Sequence, residues 1–175
     1  MSDHGRDTSP HLAVLDIDGV LADVRHRLHH IAGPRRDWEA FFDGVSADPV
    51  LDEGRAEALA AATAGLGIVY LTGRPERCRA DTVQWLTAHG LPEGELVMRR
   101  DADRRPARVV KVEALRRLSE TREVAYLLDD DPEVLAAAAS AGYRVRAAEW
   151  LPRGDAGGES AGDALREAQE TLGRS

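Results

Sequence analysis

Three short apolar segments of this chain each end abruptly in polar residues. The runs 12–15, 66–71 and 124–128 stop at Asp16, Thr72 and Asp129 respectively. Runs of this length and composition are typical of strands that are buried on both faces of a parallel sheet. The carboxyl ends of neighbouring parallel strands meet at one edge, where such folds bind their ligands. The pattern therefore predicts one polar site assembled from several strand ends.

Helical patterns occupy the intervals between these runs and two shorter strand candidates, 96–98 and 143–145. The helices are predicted over 51–64, 75–89, 107–118 and 132–142, with Leu59 facing inward and with Pro75 and Pro132 at helix starts. Strands that alternate with helices of this length indicate βαβ units with right-handed crossovers. We therefore predict an α/β fold with a central parallel sheet between two layers of helices.

The 175 residues suit one domain, which we place at 11–150. Residues 1–10 are predicted to be a flexible leader, and 151–175 a Gly-rich linker followed by a C-terminal helix. Residues 20–49 form a connection too long for a plain loop, so we predict a small insert there. Its Trp38, Phe41 and Phe42 favour a mini-core, with base stacking as the alternative.

Charge limits the partners of the whole surface. The chain carries 31 acidic and 23 basic side chains, a formal charge of −8, which argues against coating nucleic acid or an anionic membrane. The segment 99–111 reverses this sign, with six basic and two acidic residues. It predicts a phosphate-binding rim, with a solvated face as the alternative, and Asp103 is expected to orient Arg105.

Membrane and disulfide classes are also disfavoured. No apolar run approaches the ~20 residues of a membrane span, and residues 1–10 lack a signal-peptide apolar region. The single cysteine, Cys78, excludes an internal disulfide. We therefore expect a cytoplasmic protein with no membrane contact; its oligomeric state is not predicted.

The clustered carboxylates at the strand ends indicate a particular chemistry. They repel one another unless a cation neutralises them, and an all-oxygen ligand set favours Mg²⁺, which readily accepts a phosphate oxygen. One carboxylate can then attack phosphorus, and a second, two residues along, can protonate the leaving oxygen. A threonine, backbone amides and a lysine would supply the donors that the transferring group needs.

Four motifs in order resemble those of the haloacid dehalogenase superfamily of phosphotransferases, over residues 12–147. They are Asp16-Ile17-Asp18-Gly19-Val20, Leu71-Thr72-Gly73-Arg74, Lys111 and Asp129-Asp130. The resemblance implies the Rossmann-like fold of that superfamily, with Asp16 as nucleophile and Asp18 as general acid and base. It also implies that Thr72 and Lys111 bind the phosphoryl group and that Gly19, Gly73 and Arg74 bind the substrate. Mg²⁺ would be held by Asp16, Asp129, Asp130 and the backbone carbonyl of Asp18.

A narrower likeness concerns the arginine-bearing loop. Met98-Arg99, Asp103-Arg104-Arg105-Pro106 and Lys111 resemble the 3′-phosphatase domain of phage-type polynucleotide kinase-phosphatases. This resemblance implies that Arg99 and Arg105 bind substrate and that the substrate is a nucleic acid 3′-phosphate end. The insert is too short for a large cap domain, so the site would admit bulky substrates. Gly-x-x-x-x-Gly-Lys-Ser/Thr is absent, so 5′-kinase activity is not expected in this chain.

Several alternatives stay open at this point. The same motifs are compatible with a small-molecule phosphatase or 5′-nucleotidase, and with a catalytically inactive phosphate-binding module. His26, His29 and His30 have helical spacing that imitates a metal cluster, but a solvated or substrate-facing role is favoured. Asp131 is interpreted as the cap of the helix that Pro132 opens and is left out of the metal set.

Overall fold

The computed structural model describes residues 9–32 and 34–151, and its centre is a five-stranded sheet. The strands are β1 (His11–Leu15), β2 (Gly67–Pro75), β3 (Glu95–Arg99), β4 (Glu123–Asp129) and β5 (Val145–Ala147). All neighbouring strands are parallel, in the order β3-β2-β1-β4-β5. The order reverses at β1, which lies between β2 and β4, so the three predicted strand ends are neighbours.

Helices cover both faces of this sheet. They are α1 (Trp38–Asp43), α2 (Asp52–Thr63), α3 (Arg79–Ala88), α4 (Ala107–Ser119) and α5 (Pro132–Ser140). Alternate residues of β1 point to opposite faces. Ala13 and Leu15 belong to a core that includes α2 and α3 residues, whereas Leu12 and Val14 belong to a core with α4 and α5. The predicted three-layer α/β fold is confirmed.

Several local predictions are wrong. Pro75 does not open a helix: its backbone is extended (φ −70°, ψ 154°) and it ends β2, opposite Arg99. A 3₁₀ turn (Glu76–Cys78) follows, and α3 begins only at Arg79. Leu59 is 41% exposed, because the small Ala58 and Ala61 are the residues that bring α2 onto the sheet. The last strand is 145–147 rather than 143–145.

The segment between β1 and α2 folds around its own small core. It contains 3₁₀ turns at Arg25–His30 and Val45–Ala47 on either side of α1. Phe41 and Phe42 are buried with Cys78 and Met98 of the main domain, and Trp38 stacks on Phe42 at 5.9 Å between ring centroids. The aromatic residues thus pack as the mini-core interpretation predicts, and they anchor the insert beside the ends of β2 and β3.

Most of the predicted leader, and the predicted Gly-rich linker and C-terminal helix from residue 152 onward, lie outside the described residues. Within the described part of the chain, every helix is too short or too polar to cross a membrane.

Candidate active site

Asp16, Lys111 and Asp129 form a buried cluster at the carboxyl edge of the sheet. Asp16 directly follows β1, and its N–H donates to Leu128 O of β4 at 2.9 Å, which holds the two strand ends together. Lys111 reaches the cluster from α4 with its side chain 3% exposed. Its Nζ lies 2.8 Å from Asp16 Oδ2 and 2.6 Å from Asp129 Oδ2. One ammonium therefore serves two carboxylates.

Burial dominates the protonation of this cluster. It raises the pKa of Asp16 from 3.8 to about 7, with Lys111 opposing the change and Asp129 adding to it. Burial, together with the charges of Asp129 and Asp16, also raises the pKa of Asp130 well above its usual range. Burial alone would lower the pKa of Lys111, but the carboxylates of Asp129 and Asp16 raise it, so the ammonium stays charged. The cluster holds more negative groups than one ammonium can neutralise.

The residues of this cluster fit a divalent cation. Asp16, Asp129 and Asp130 each offer a carboxylate oxygen, and these atoms lie within 4.8 Å of one another. Asp130 Oδ1 is buried without a hydrogen-bond partner among the described residues. Gly19 (φ +82°) leaves the room: a Cβ there would lie 2.4 Å from Asp130 Oδ2. An all-oxygen set with an unsatisfied buried oxygen is suited to a hard ion such as Mg²⁺.

Asp131 stays outside this set. Its Oδ1 accepts from the Glu133 N–H at 2.9 Å, so it caps α5. Its own N–H donates to Asp129 Oδ1 at 3.0 Å. The third aspartate of the Asp129–Asp131 run therefore shapes the turn that presents the other two.

Asp18 belongs to a separate network of arginines. Its Oδ1 accepts from Arg27 Nη2 at 3.0 Å and from Arg74 Nε and Nη2 at 2.9 and 2.6 Å. No described residue donates to Oδ2, and the side chain keeps 7% exposure. Burial would raise the pKa of Asp18, but the guanidinium charges of Arg74 and Arg27 lower it. The carboxylate of Asp18 is thus occupied by arginines. Asp18 could therefore act as a metal ligand only through its backbone carbonyl, as the resemblance implies.

The structure contradicts a substrate-binding Arg74. The residue is fully buried, and its guanidinium donates to Asp18, to Asp48 Oδ2 at 2.7 Å and to Thr82 Oγ1 at 3.3 Å. All three nitrogens of the guanidinium donate to side-chain oxygens of the protein. Arg74 therefore orients Asp18 rather than binding substrate. Sequence reasoning missed Arg27 and Asp48 as members of this network, because only the folded insert brings them beside Asp18.

Thr72 and Gly73 lie in the last part of β2, at the carboxyl edge of the sheet. Leu15 of β1 pairs with Tyr70 of β2, so Thr72 lies just beyond the level of Asp16. Thr72 is buried, and its Oγ1 accepts from the Arg74 N–H at 3.2 Å. A Cβ at Gly73 would meet nothing within 4 Å, so the backbone there borders open space.

The arginine loop is not aimed at the carboxylates. Arg99 is buried, and its Nη1 donates to the carbonyl oxygens of Arg105 at 2.7 Å and Asp103 at 3.3 Å, so it holds the loop from inside. Arg105 is exposed and pairs with Asp103 at 2.7 Å and with Glu113 at 2.6 Å. The Arg105 hydrogen bonds lower the pKa of Asp103 to about 2. Asp103 therefore orients Arg105, as predicted, but the predicted substrate contacts of both arginines are not prepared in this structure.

The histidine triplet forms no metal cluster within the described residues, where Asp16, Asp129 and Asp130 are the group that could hold a metal ion. His26 Nε2 instead lies 2.7 Å from Asp48 Oδ1. The rings of His29 and His30 are 3.9 Å apart at the surface of the insert. His26 thus contacts the arginine network from its outer side.

A family model identifies the family of this chain, and comparisons with solved structures show a shared fold. The model of the family described as "Polynucleotide kinase PNKP phosphatase domain" matches residues 10–147. A chain of a Pnkp1/Rnl/Hen1 complex superimposes with a TM-score of 0.67 at 20% identity, covering 82% of this chain and 46% of that one. A chain of a Pnkp1/Rnl/Hen1 RNA repair complex gives 0.64 and 24%, covering 82% and 44%. The class C acid phosphatase of Bacillus anthracis with tungstate bound gives 0.59 and 15%, covering 76% and 60%.

This chain spans less than half the length of the two Pnkp1-complex chains that it matches. Among curated proteins, none matches the sequence significantly. The structural likenesses, all under 25% identical, show the shared fold.

Proposed function

The chain belongs to the family of the polynucleotide kinase PNKP phosphatase domain, and from that premise we propose a Mg²⁺-dependent phosphomonoesterase that works through an aspartyl-phosphate on Asp16. It is a phosphatase of the haloacid dehalogenase type, as its family and its hydrolase neighbours indicate. The observation that carries the mechanism is the division of the site into two parts. Asp16 lies in the acidic cluster around Lys111. Asp18 is held apart from that cluster by arginines, which leave one of its carboxylate oxygens free.

In the first step an oxygen of Asp16 attacks phosphorus. A bond forms between that oxygen and phosphorus, and the ester P–O bond breaks. The departing oxygen takes a proton from Asp18 Oδ2, which Asp18 receives from the monoanionic phosphate of the bound substrate, because the neighbouring arginines keep the free carboxyl ionised. Lys111 and the backbone beside Thr72 and Gly73 hold the charge on the phosphoryl oxygens. Mg²⁺ held by Asp16, Asp129, Asp130 and the Asp18 carbonyl would supply charge neutralisation for substrate and nucleophile.

In the second step water hydrolyses the aspartyl-phosphate. Asp18 is ionised after the first step. It takes a proton from the water molecule while the oxygen of that water attacks phosphorus. The bond between phosphorus and Asp16 breaks, which releases inorganic phosphate and restores the carboxylate. The clamp of Arg27 and Arg74 on Asp18 Oδ1 leaves the same oxygen, Oδ2, to serve in both steps.

For the substrate class we propose nucleic acid 3′-phosphate ends. The family match and the absence of a large cap among the described residues support a site open to polymer ends. The solved neighbours of an RNA repair complex favour RNA ends as the first substrate to test. Arg99 and Arg105, engaged within their own loop, favour the second candidate, a small-molecule phosphatase or 5′-nucleotidase.

One assay separates these functions. Phosphate release is measured with Mg²⁺ from a 3′-phosphorylated RNA, the matching DNA, 5′-phosphorylated oligonucleotides and mononucleotides. We expect the 3′-phosphorylated ends to give the highest kcat/KM. Turnover of mononucleotides or sugar phosphates alone would replace the end-processing function with the small-molecule one.

The covalent step is tested by Asp16→Asn. This variant removes the nucleophile but keeps the shape of the side chain, so we expect no turnover and no trapped phosphoenzyme. Asp43→Asn is the matched control, since Asp43 is an exposed carboxylate of the insert. Wild-type protein with no activity on any of these substrates would leave the phosphate-binding module as the surviving interpretation.

A further inference from the structure

Asp48 is a buried carboxylate in the insert that the mechanism above does not use. Its side chain is fully inaccessible and accepts four hydrogen bonds. Oδ1 accepts from His26 Nε2 and Arg27 Nε, both at 2.7 Å. Oδ2 accepts from Arg27 Nη2 at 2.8 Å and Arg74 Nη2 at 2.7 Å. Every lone-pair direction of this carboxylate is occupied.

The two arginines on Asp48 are the two that hold Asp18. Arg27 Nη2 and Arg74 Nη2 each donate both to an oxygen of Asp48 and to Asp18 Oδ1. The four side chains form a closed ring with two positive and two negative charges. Removing one carboxylate from such a ring leaves an uncompensated buried charge and frees both arginines to turn.

The backbone around Asp48 is fixed from two layers of the fold. Its carbonyl accepts from Trp85 Nε1 of α3 at 2.7 Å. The next carbonyl, that of Pro49, accepts from the Asp23 N–H at 2.8 Å, and Val50 bridges to Ala22 in the loop that follows Asp18. Asp48 therefore has a fixed position relative to the catalytic loop, as a group that orients others must have.

We propose that Asp48, braced on its outer side by His26, is a positioning residue for the phosphatase reaction. It fixes Arg27 and Arg74 so that they hold Asp18 Oδ1 and leave Oδ2 turned toward the leaving group. This inference rests on the proposed function, because it assigns Asp48 to the proton-donating side of the same site. It gives the insert a catalytic purpose beyond covering the edge of the domain.

The test compares two kinds of leaving group. Proton donation matters for an alkoxide but hardly for p-nitrophenolate, which departs without a proton. For Asp48→Asn we expect kcat/KM to fall on 3′-phosphorylated oligonucleotide and on glycerol 2-phosphate roughly 10- to 100-fold more than on p-nitrophenyl phosphate. The exposed Asp43→Asn should leave all three values unchanged. Equal losses on all esters in folded D48N would reduce Asp48 to a structural residue and overturn the proposal.

A second pair of variants tests the same point if D48N does not fold. His26 is 38% exposed at its side chain, so its replacement disturbs little of the core. His26→Ala should lower kcat/KM about threefold on the alkyl esters only, and His26→Gln, which keeps a donor, should restore it. Unchanged alkyl-ester kinetics in H26A would contradict the proposal. Failure of the wild type to hydrolyse any ester is a different result, because that would overturn the proposed function itself.

Discussion

The ammonium of Lys111 lies 2.8 Å from Asp16 Oδ2, so the predicted nucleophile is one half of a buried ion pair. The same Nζ lies 2.6 Å from Asp129 Oδ2. Lys111 is also the only lysine among the 23 lysine and arginine residues of the chain. A compact ammonium fits between two carboxylates where the larger planar guanidinium would not, and this is the physical reason for a lysine here.

Replacing Lys111 by methionine removes this charge while keeping much of the side-chain length. Turnover should fall about 10²- to 10³-fold, the usual loss when a group that stabilises the transition state is removed. Without metal, the free energy of unfolding should fall by about 3–5 kcal/mol, since the carboxylates lose their buried partner. Urea unfolding with EDTA or with Mg²⁺ measures this, and Mg²⁺ should recover part of the loss. Wild-type stability in K111M with EDTA would show that the pair does not stabilise the fold.

The metal-free protein should lose stability as pH rises from about 4 to about 7. The raised pKa of Asp16, about 7 against 3.8, means that the folded state binds a proton that the unfolded state releases in this range. Asp130 acts in the same direction, whereas the lowered pKa of Asp18 adds stability that is lost only on acidification below about 4. Urea unfolding in EDTA at several pH values measures the slope. Asp130→Asn should make the decrease of stability with pH less steep. A wild-type free energy of unfolding that increases with pH over this range would contradict the raised pKa values of Asp16 and Asp130.

Mg²⁺ should stabilise the wild type more strongly at pH 8 than at pH 5.5, because the ion competes with the protons of these carboxylates. At ten times its Kd the gain is about 1.4 kcal/mol, which corresponds to a rise in Tm of roughly 3–6 °C. Differential scanning fluorimetry at both pH values records it. The shift should be lost in D130N and kept in D43N. An equal shift in D130N would place the ion elsewhere.

The sheet and the acidic cluster could be predicted from the sequence because their signals are local. An apolar run that stops at Asp16 or Asp129 marks both a strand and its end, and the parallel topology brings those ends together. The arginine network gives no such signal. Its members come from three separated segments of the chain and include Arg27, Asp48 and Arg74. The sequence itself does not distinguish a buried arginine from an exposed one.

The contacts of Arg99 and Arg105 could not be predicted from the sequence for the same reason. The run of basic residues from 99 to 111 predicts a phosphate-binding rim only if each basic side chain is assumed to be free to bind phosphate. In the structure Arg99 and Arg105 are engaged by loop carbonyls and by Asp103 and Glu113. Composition counts charges, whereas only the fold shows which of these side chains already have hydrogen-bond or ion-pair partners within the protein.

Arg99 and Arg105 should therefore behave differently on substitution by alanine. Arg99→Ala removes a buried guanidinium that donates to two loop carbonyls, and it should lower the free energy of unfolding by about 1–3 kcal/mol. Arg105→Ala removes two exposed ion pairs and should leave the free energy of unfolding nearly unchanged. Urea unfolding measures both, and oligonucleotide KM is recorded in parallel. A rise in KM of tenfold or more for R105A, with p-nitrophenyl phosphate kinetics unchanged, would restore the predicted substrate contact.

Gly54 in α2 provides a case in which tertiary packing should override helix propensity. Alanine in a helix interior is favoured over glycine by about 1 kcal/mol. A Cβ at position 54, however, would lie 1.9 Å from Val20 O, and this carbonyl also accepts from Trp150 Nε1 at 3.0 Å. The neighbour is backbone and cannot turn aside, so α2 would be pushed away from the loop that follows Asp18. We expect Gly54→Ala to reduce the free energy of unfolding by about 1–3 kcal/mol, as overpacked sites do.

The matched control for Gly54→Ala lies in the same helix at an exposed position. Ala60→Gly makes the reverse exchange at the surface of α2 and should cost only the propensity difference of about 1 kcal/mol. Phosphatase activity separates the two variants further. Displacing the loop after Asp18 should lower kcat in G54A, whereas A60G should keep the wild-type value. Urea unfolding and phosphate release on both proteins provide the measurement, and a stabilised, fully active G54A would show that α2 can move without disturbing the catalytic loop.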